Sequence, residues 1–532
     1  MMGLNRRVWL SGLVLVLAAG CSRCGKAAPG AQVQVEDVLP KGAVAVVVVP
    51  QVHALGQKLE VLQQLKVAGF AAQLQGFGSG QELVNALIQS VGIDVRSREA
   101  LQGAGLAPDR GAGGAVMLDG TGFLALPVAD EGKVTALFQR LAQARLGATE
   151  AAELKAGTLV VHTLAPKGAP ARFGWVFTKG YALVGVDEAV NKLSGWAQLG
   201  DMDALGKDAQ WAKALGRLPA ERQLLVYLPP GSPVLRGPVG AVAAAASLSA
   251  QGLSVTLDAP WKGDPQALEV LARTAQVAPL LGRLPKDAFL VARFAGDPQK
   301  LAPYADELVG PFLSKALGES GVDWKAQLFG NVLPGAVAAL SLAPTARMDG
   351  VPAFDVRRTN PFRWVHLTGA ARAKDAATLP KSLETLAQAG PRFGAKIDKQ
   401  EKEGQAIYVT TYSAGEGVHF AAQGDTVAFG SPLPRVVAAL QAKSEGDGPL
   451  PAALKAVLEQ RAVAAVVDLH ALSAAVRELP SDAWGVGGFA IKATTLRWLD
   501  ATDDLEAITV GAEAKDGAVQ LQLTLSLQGA KK

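Results

Sequence analysis

Five histidines are the side chains of this 532-residue chain best suited to acid–base or metal chemistry: His53, His162, His366, His419 and His470. No two of them lie within five residues of each other, so the H-x-x-x-H spacing that holds zinc on one helix face does not occur. His53 and His470 each begin a His-Ala-Leu triplet after a strand-like run, and in a duplicated chain the two could face each other. A lone histidine is more often structural, so we expect a local hydrogen bond at a helix start.

Two further segments have the composition of a ligand loop without its spacing. Gly76-Phe-Gly-Ser-Gly80 lacks the preceding strand, the final glycine and the lysine of phosphate loops, and therefore predicts a helix stop. The four carboxylates between Asp500 and Glu506 lack the turn glycine of a calcium loop, and predict a solvated loop before a strand. No G-x-S-x-G or H-E-x-x-H motif is present. The sequence thus predicts no cofactor, no metal site and no enzymatic activity.

One basic and aromatic group stands out in an otherwise scattered charge pattern. It comprises Arg357, Arg358, Arg363 and Trp364, at the end of a proline-containing stretch over 343–361 that has no equivalent in the first half of the chain. Because loops carry function disproportionately, we interpret these residues as a contact loop, with an ordinary surface loop as the alternative. The formal net charge of +4 forms no dense cationic stripe, which argues against nucleic acid as a partner.

The N-terminus carries the strongest signal, because both cysteines of the chain, Cys21 and Cys24, lie there. Arg6 and Arg7 precede an apolar run over Val8–Ala19, which is shorter than the roughly 20 residues that a spanning helix needs and is typical of an export signal. The following segment, Leu-Ala-Ala-Gly-Cys21, resembles a bacterial lipobox. The resemblance implies cleavage before Cys21 and lipidation of its thiol.

Three other interpretations of this segment exist: a plain secretory signal, a buried N-terminal helix, and a redox pair formed by Cys21 and Cys24. The redox pair requires a helix start after a strand, whereas these cysteines follow the signal segment. By similarity to lipoproteins of bacteria with two membranes, Ser22 implies the outer membrane. We therefore expect a signal peptide over 1–20, a flexible tether over 21–36, and a protein that faces the periplasm or the cell surface.

The rest of the chain shows internal similarity, which predicts its architecture. Leu39-Pro40-Lys resembles Leu284-Pro285-Lys, and each is followed by a strand-like run and a helical pattern. Further landmarks recur in the same order, paired as Gly92 with Gly321, Gly114 with Gly335, Leu141 with Leu386, Gly180 with Gly424, Leu218 with Leu450, and Gly252 with Gly517. We expect two homologous lobes over 37–260 and 283–532, joined by a helical linker over 261–282.

The fold class follows from how strands and helices alternate within each lobe. Strand pairs separated by glycine turns, with helices between the pairs, predict an α+β fold with an antiparallel or mixed sheet packed by helices. The whole pattern resembles secreted bacterial proteins that are grouped as a domain family of unknown function. That resemblance implies a duplicated extracytoplasmic fold and supplies no activity or functional residues.

The expected function is that of a lipid-anchored envelope lipoprotein with a non-catalytic binding or structural role. Its partners would be the membrane, through the anchor, and an envelope protein or polymer. The alternative is a periplasmic carrier of a lipid or another small apolar ligand, suggested by a mean hydropathy of +0.20, although an Ala-, Val- and Leu-rich core also explains that value. A second alternative is an enzyme with an unrecognised carboxylate-based site. A cavity lined by Val, Leu and Phe would favour the carrier, and filled lobes the interaction protein.

Overall fold

The computed structural model describes residues 33–274, 277–309, 314–315, 318–319, 323, 325–326, 329–346, 360–402, 405–412, 415–446, 448–485 and 488–528. These residues belong to two compact units, of which the first ends at Lys262 and the second begins at Gly263. The predicted signal peptide and most of the predicted tether lie outside the described residues. The tether was predicted to extend to residue 36, but Val35 starts a 3₁₀ helix and packs in the core at 2% exposure, so this boundary was placed too late.

The first unit contains ten strands and seven α-helices within its described residues. The strands are β1 (Ala45–Val49), β2 (Ala112–Val116), β3 (Gly122–Pro127), β4 (Glu150–Ala156), β5 (Leu159–Ala165), β6 (Phe173–Thr178), β7 (Tyr181–Val186), β8 (Leu224–Leu228), β9 (Val242–Ser249) and β10 (Gly252–Pro260). The helices are α1 (Val52–Gln64), α2 (Lys66–Leu74), α3 (Gly80–Val91), α4 (Arg98–Gly103), α5 (Glu131–Leu146), α6 (Leu193–Ala197) and α7 (Ala209–Arg217).

The strands of the first unit form an antiparallel sheet in the order β4-β5-β6-β7-β3-β2-β1-β8-β9-β10. Both faces of this sheet are covered near β7. Successive residues of a strand point to opposite faces, so neighbouring residues of β7 show what covers each face. Tyr181 and Leu183 pack in one hydrophobic cluster with Trp211 of α7, whereas Ala182 packs in another with Phe138 of α5. Burial on both faces explains why β7 reads as a continuous apolar run.

The second unit contains eleven strands and seven α-helices within its described residues. The strands are β11 (Leu290–Phe294), β12 (Ala336–Leu342), β13 (Val365–Arg372), β14 (Ala395–Lys402), β15 (Gln405–Tyr412), β16 (Gly415–Glu416), β17 (His419–Gln423), β18 (Thr426–Ser431), β19 (Val463–Asp468), β20 (Leu505–Lys515) and β21 (Ala518–Leu527). The helices are α8 (Pro265–Val270), α9 (Ala305–Val309), α10 (Leu379–Ala389), α11 (Leu433–Gln441), α12 (Ala452–Gln460), α13 (Leu469–Arg477) and α14 (Gly488–Ala501).

The second unit has an antiparallel sheet in the order β14-β15-β17-β18-β13-β12-β11-β19-β20-β21, and β16 pairs with the end of β15. Counted from the start of each unit without the two-residue β16, the strand order is the same as in the first unit. One face is buried, where Val291, Val337 and Val466 pack with Leu458 of α12. The predicted mixture of helices with an antiparallel sheet is confirmed.

Two local predictions need correction. Leu218-Pro219 and Leu450-Pro451 were paired as landmarks, but α7 ends just before the first and α12 begins just after the second. Among the described residues of the predicted helical linker over 261–282, only α8 and a 3₁₀ turn from Leu281 are helical. Between them, the amides of Thr274 and Ala278 donate to the carbonyls of Ala295 and Pro334 in the second unit. These backbone groups are therefore not available to continue a helix.

Candidate functional site

The structure does not describe four of the residues that the sequence singled out. Cys21 and Cys24 precede the first described residue, and Arg357 and Arg358 fall in the interval 347–359. The predicted lipidation at Cys21 and half of the predicted contact loop therefore remain predictions.

Arg363 and Trp364, the other half of the predicted contact loop, have different surroundings. Arg363 ends the 3₁₀ helix Pro361–Arg363, which Asn360 caps by accepting from the amide of Phe362 at 3.0 Å, and its side chain is exposed. Trp364 packs instead against a hydrophobic cluster that includes Ala343, whose amide donates to the Trp364 carbonyl at 2.8 Å. The indole thus contributes to the core, and the guanidinium is the part of this pair that is available for contact.

His53 and His470 lie where the sequence placed them, each the second residue of a helix that follows a strand. His53 is in α1 after β1, and its Nε2 lies 3.2 Å from Nε2 of Gln57, one turn along the same helix. His470 is in α13 after β19, in the other unit. The contact of His53 is the local interaction expected of a structural histidine.

The glycine-rich and acidic segments do not form ligand sites within the described residues. Ser79 caps α3 by accepting from the amide of Glu82 at 3.2 Å, so Gly76–Gly80 separates two helices. The carboxylates of Asp500 and Asp503 accept from one guanidinium nitrogen of Arg477, at 2.8 and 3.4 Å. The part of the chain that the structure describes contains no group of three or more His, Cys, Asp or Glu placed to hold a metal ion.

Sequence reasoning missed a polar cluster that β12 and α11 bring together in the second unit. Arg435 of α11 donates from two nitrogens to the two carboxylate oxygens of Asp287, at 2.8 and 2.5 Å. The hydroxyl of Ser341 donates to the same carboxylate at 3.1 Å and accepts from Arg435 at 3.0 Å. The Arg435 guanidinium holds the pKa of Asp287 below its ordinary value of 3.8.

Two histidines border this cluster, and His419 is the better defined. It is almost fully buried, its Nδ1 accepts from the amide of Thr410 at 2.9 Å, and its Nε2 lies 2.6 Å from Oε1 of Glu416. Since Nδ1 is an acceptor, the proton is on Nε2 and is donated to Glu416. Glu416 also accepts from the amide of Leu433. The hydrogen bonds of Glu416 therefore connect His419 of β17 to the start of α11.

His366 lies on β13 opposite Ser341 of β12, and its Nδ1 is buried with no hydrogen-bond partner among the described residues. Burial lowers the pKa of His366 below 6.5, and the charge of Arg435 lowers it further. Asp287 and Glu416 act in the opposite direction. A neutral imidazole next to a bidentate ion pair is the result.

The chemistry of this cluster is that of a structural network. A nucleophilic serine needs a base that removes its proton, but the Ser341 hydroxyl hydrogen is already donated to a carboxylate whose pKa is lowered. Both terminal nitrogens of the Arg435 guanidinium already donate to the same carboxylate, so they are not available to bind a ligand. The cluster fastens α11 onto the sheet.

A different surface has the properties of a binding site: the apolar strand face of β20 and β21. Eight positions on one side of this strand pair are apolar, and none of these eight side chains is buried. They are Ile508, Val510, Ala512 and Ala514 of β20 and, directly opposite, Leu525, Leu523, Leu521 and Val519 of β21. The exposed fractions of Val510, Leu521 and Leu523 are 47%, 42% and 45%.

Several polar residues of the same strands are on the other side, which faces the protein. Gln522 accepts a hydrogen bond from Arg461, which also pairs with Glu513. Thr509 on this side is buried. A two-stranded segment normally turns its apolar side to the core and its polar side to water, and here the arrangement is reversed. Contiguous exposed apolar surface of this kind marks sites of interaction with proteins, lipids or ligands.

A second exposed apolar feature is helix α14. Phe489 at its start is 90% exposed, Trp498 is 48% exposed, and Ile491 lies between them on the surface. Leu499, the residue after Trp498, packs with the buried Trp484. None of the described helices combines the length and the apolar character needed to cross a membrane.

Comparisons with known proteins leave the family of the chain open. No protein-family model matches the sequence, and no curated protein is similar to it. Crystal forms III, IV and I of TP0453 are similar to part of the structure, with TM-scores of 0.25, 0.24 and 0.24 and sequence identities of 12%, 13% and 13%. The matches cover 44%, 43% and 44% of this chain and 82%, 81% and 81% of those chains. Likeness at this level assigns neither a family nor a function.

Proposed function

We propose that this chain is a lipid-anchored lipoprotein of the cell envelope, at the outer membrane, with a non-catalytic binding or structural role. The anchor is the acylated Cys21 that the lipobox-like segment predicts. The binding surface is the apolar strand face of β20 and β21, through which an envelope protein or polymer is contacted.

The observation that supports the binding role is that β20 and β21 turn their apolar side to solvent. Eight apolar side chains share this face, and three of them, Val510, Leu521 and Leu523, are nearly half exposed. Leaving such surface in water costs about 25 cal/mol for each Å² that a partner would cover, so a protein that keeps it exposed gains from a partner.

We also propose that the two units arose by duplication, with recurring landmarks in the sequence and identical strand order as the support. The first strands are placed alike as well, since β1 starts at Ala45 and β11 at Leu290, each five positions after the proline of its Leu-Pro landmark, Pro40 or Pro285. Ten antiparallel strands in one nontrivial order are a specific likeness between two halves of a chain.

The anchor is tested by metabolic labelling with a palmitate analogue in a bacterium that processes lipoproteins. The full chain and a Cys24→Ala control are expected to incorporate the label and fractionate with membranes, whereas Cys21→Ala is expected to lose both properties. Equal labelling of the Cys21→Ala variant, or no labelling of any form, would exclude lipidation at Cys21.

The apolar strand face also favours a second candidate function, carriage of a lipid or another apolar ligand. A surface without polar side chains fits an acyl chain as well as an apolar protein surface. A photoreactive amino acid in place of Leu523, in the full chain in cells, separates the two functions. Protein or polymer adducts support the first function and lipid adducts the second. Adducts no more abundant than from Leu154, an exposed leucine of β4, would count against both.

A further inference from the structure

We infer that the sheet of the second unit holds the acyl chain of a membrane lipid in an apolar groove across β12, β11 and β19. The apolar groove consists of every second residue of these strands, starting at Ala336, Leu290 and Val463, and continues into the apolar strand face of β20 and β21. This inference rests on the second candidate function, carriage of an apolar ligand, and assigns that ligand a place and a chemical class.

The side chains of the apolar groove are all Ala, Val, Leu or Phe, and none of them is buried. The opposite side of the same strands forms the core, where Val291, Val337 and Val466 are buried against α12. Strands that are apolar on both sides normally have both sides covered. In β12, β11 and β19 only the side that faces α12 is buried, so the folded unit leaves the groove side partly open to solvent.

Cross-strand pairing gives the groove a floor and two rims. Ala338, Ala292 and Ala465 lie directly opposite one another on neighbouring strands, so their methyl groups form the floor. Larger side chains form the rims, which are Leu340, Leu290 and Val467 on one side and Phe294 and Val463 on the other.

One end of the groove is closed and the other is open. Beyond β12, the next residue opposite the floor is Gly369 of β13, where a Cβ would lie 2.3 Å from Cζ of Phe429. The Phe429 ring therefore covers this end. Beyond β19, the floor continues through Val510 and Leu523, which are 47% and 45% exposed. From β12 to β21 the floor crosses five strands, which is a distance of about 19 Å.

These dimensions fit an acyl chain. The chains of one membrane leaflet extend over about 15 Å, half the hydrocarbon thickness of a bilayer, so the groove covers one chain along its length. The rims at Leu290 and Phe294 lie about 14 Å apart along the backbone, and their side chains narrow this width. An α-helix with its side chains is about 10–12 Å across and is therefore too wide for the groove.

The chemistry of the groove also favours hydrocarbon over polypeptide. An extended protein segment would bring its N–H and C=O groups against apolar side chains, which do not replace its hydrogen bonds to water. A hydrocarbon chain has no such groups. Its methyl end belongs at the closed end by Phe429, and its polar headgroup stays in water beside Leu523. Because the headgroup stays outside, a membrane lipid with a large headgroup is accepted.

The test uses the full chain with Cys21→Ser, purified without detergent, because detergent would compete for the groove. It is mixed with equal amounts of palmitic acid and of lysophosphatidylcholines with lauroyl, palmitoyl and arachidoyl chains, and native mass spectrometry identifies what is bound. Each buried methylene tightens binding by up to about fourfold, so palmitoyl should exceed lauroyl lipid by at least about tenfold. Arachidoyl lipid should bind no better than palmitoyl lipid, because Phe429 closes the groove.

Ala292→Phe fills the floor of the groove and should lower the amount of bound palmitoyl lipid by at least about tenfold. Val47→Phe is the matched control, because Val47 lies on the first strand of the first unit, opposite Val226, where no alanine floor is present. This control should leave binding unchanged, and circular dichroism shows whether both variants are folded. Phe429→Ala should shift the preference toward arachidoyl lipid, a gain that a misfolded chain would not show.

Four results would overturn the inference: no bound lipid, unchanged binding in Ala292→Phe, equal losses in Ala292→Phe and Val47→Phe, or a more than tenfold preference for palmitic acid, which would indicate a free fatty acid as the ligand. The photoreactive residue at Leu523 separates this failure from that of the proposed function. Protein adducts there without bound lipid would keep the envelope contact. Lipid adducts there with unchanged binding in Ala292→Phe would keep lipid carriage and exclude the groove.

Discussion

At the scale of single residues, a deeply buried charge pair of the first unit joins Arg217 and Asp258. Nε and Nη2 of Arg217 both bond to one carboxylate oxygen, at 2.7 and 2.6 Å, and the Asp258 side chain is completely buried. The two residues lie 41 positions apart, at the end of α7 and on β10, so no local pattern pairs them. Tertiary packing alone places the charges together.

We predict that Asp258→Ala lowers the free energy of unfolding of the first unit by about 3–5 kcal/mol, because it leaves a buried guanidinium without its partner. The exposed pair Arg98–Asp109 provides the control, and Asp109→Ala should cost no more than about 1 kcal/mol. Urea unfolding followed by tryptophan fluorescence measures both. An Arg217→Met, Asp258→Leu double variant should be more stable than Asp258→Ala, and the reverse order would contradict this account.

His366 gives a pH dependence whose sign follows from its lowered pKa. Between its folded pKa and the ordinary value of 6.5, the unfolded chain binds more protons at this position than the folded chain. The folded second unit therefore loses stability as the pH falls below 6.5. We predict that the melting temperature drops further between pH 7.5 and pH 5 in the natural chain than in His366→Gln. Parallel curves for the two proteins would show that His366 does not titrate in this way.

At the scale of elements, glycines inside helices show where backbones approach closely. A Cβ at Gly56 in α1 would lie 1.8 Å from the carbonyl oxygen of Val95, whereas a Cβ at Gly69 in α2 would meet nothing within 4 Å. Helix propensity alone favours alanine over glycine at both positions, by about 1 kcal/mol.

We therefore expect opposite signs for the two substitutions. Gly69→Ala should stabilise the first unit by about 0.5–1 kcal/mol, and Gly56→Ala should destabilise it, because the collision is with backbone that cannot rotate away. Thermal unfolding of the two variants beside the natural chain measures the difference. A stabilising Gly56→Ala would show that α1 does not pack as closely on the segment after α3 as the structure has it.

Elements also show where sequence patterns stop being informative. Apolar and polar residues alternate in β20 and β21, and the structure pairs them as strands with one largely apolar side. The same alternation favours the core as the place for that side, whereas Val510 and Leu523 are nearly half exposed. Which side of a strand pair is covered depends on neighbouring elements, and the period-2 pattern contains no information on them.

At the scale of the whole molecule, each unit contains hydrophobic clusters of its own. In the first, Leu183 and Trp211 belong to a cluster made entirely from that unit, and in the second the same holds for Val466 and Leu458. A compact unit of this size with its own core has what a domain needs to fold alone.

We predict that residues 33–262, expressed without the rest of the chain, fold and unfold cooperatively in urea. A Leu183→Ala variant of this fragment should lose about 2–5 kcal/mol, because the leucine is fully buried in its core. Circular dichroism and near-ultraviolet spectra of the fragment measure both. A fragment without a cooperative transition would show that the first unit depends on the second.

The sequence by itself determined features that depend on local order along the chain: the mixture of strands and helices in each half, and the recurrence of landmarks that predicts two lobes. The export-type segment before Cys21 stays a prediction. Local order is sufficient there, because hydrophobic periodicity and turn residues act over a few positions. Only the tertiary structure decided the contact of Arg435 with Asp287, the packing of Trp364 in the core, and the exposure of the apolar strand face. Each of these depends on which distant segments meet, and burial of a side chain is set by all of its neighbours together.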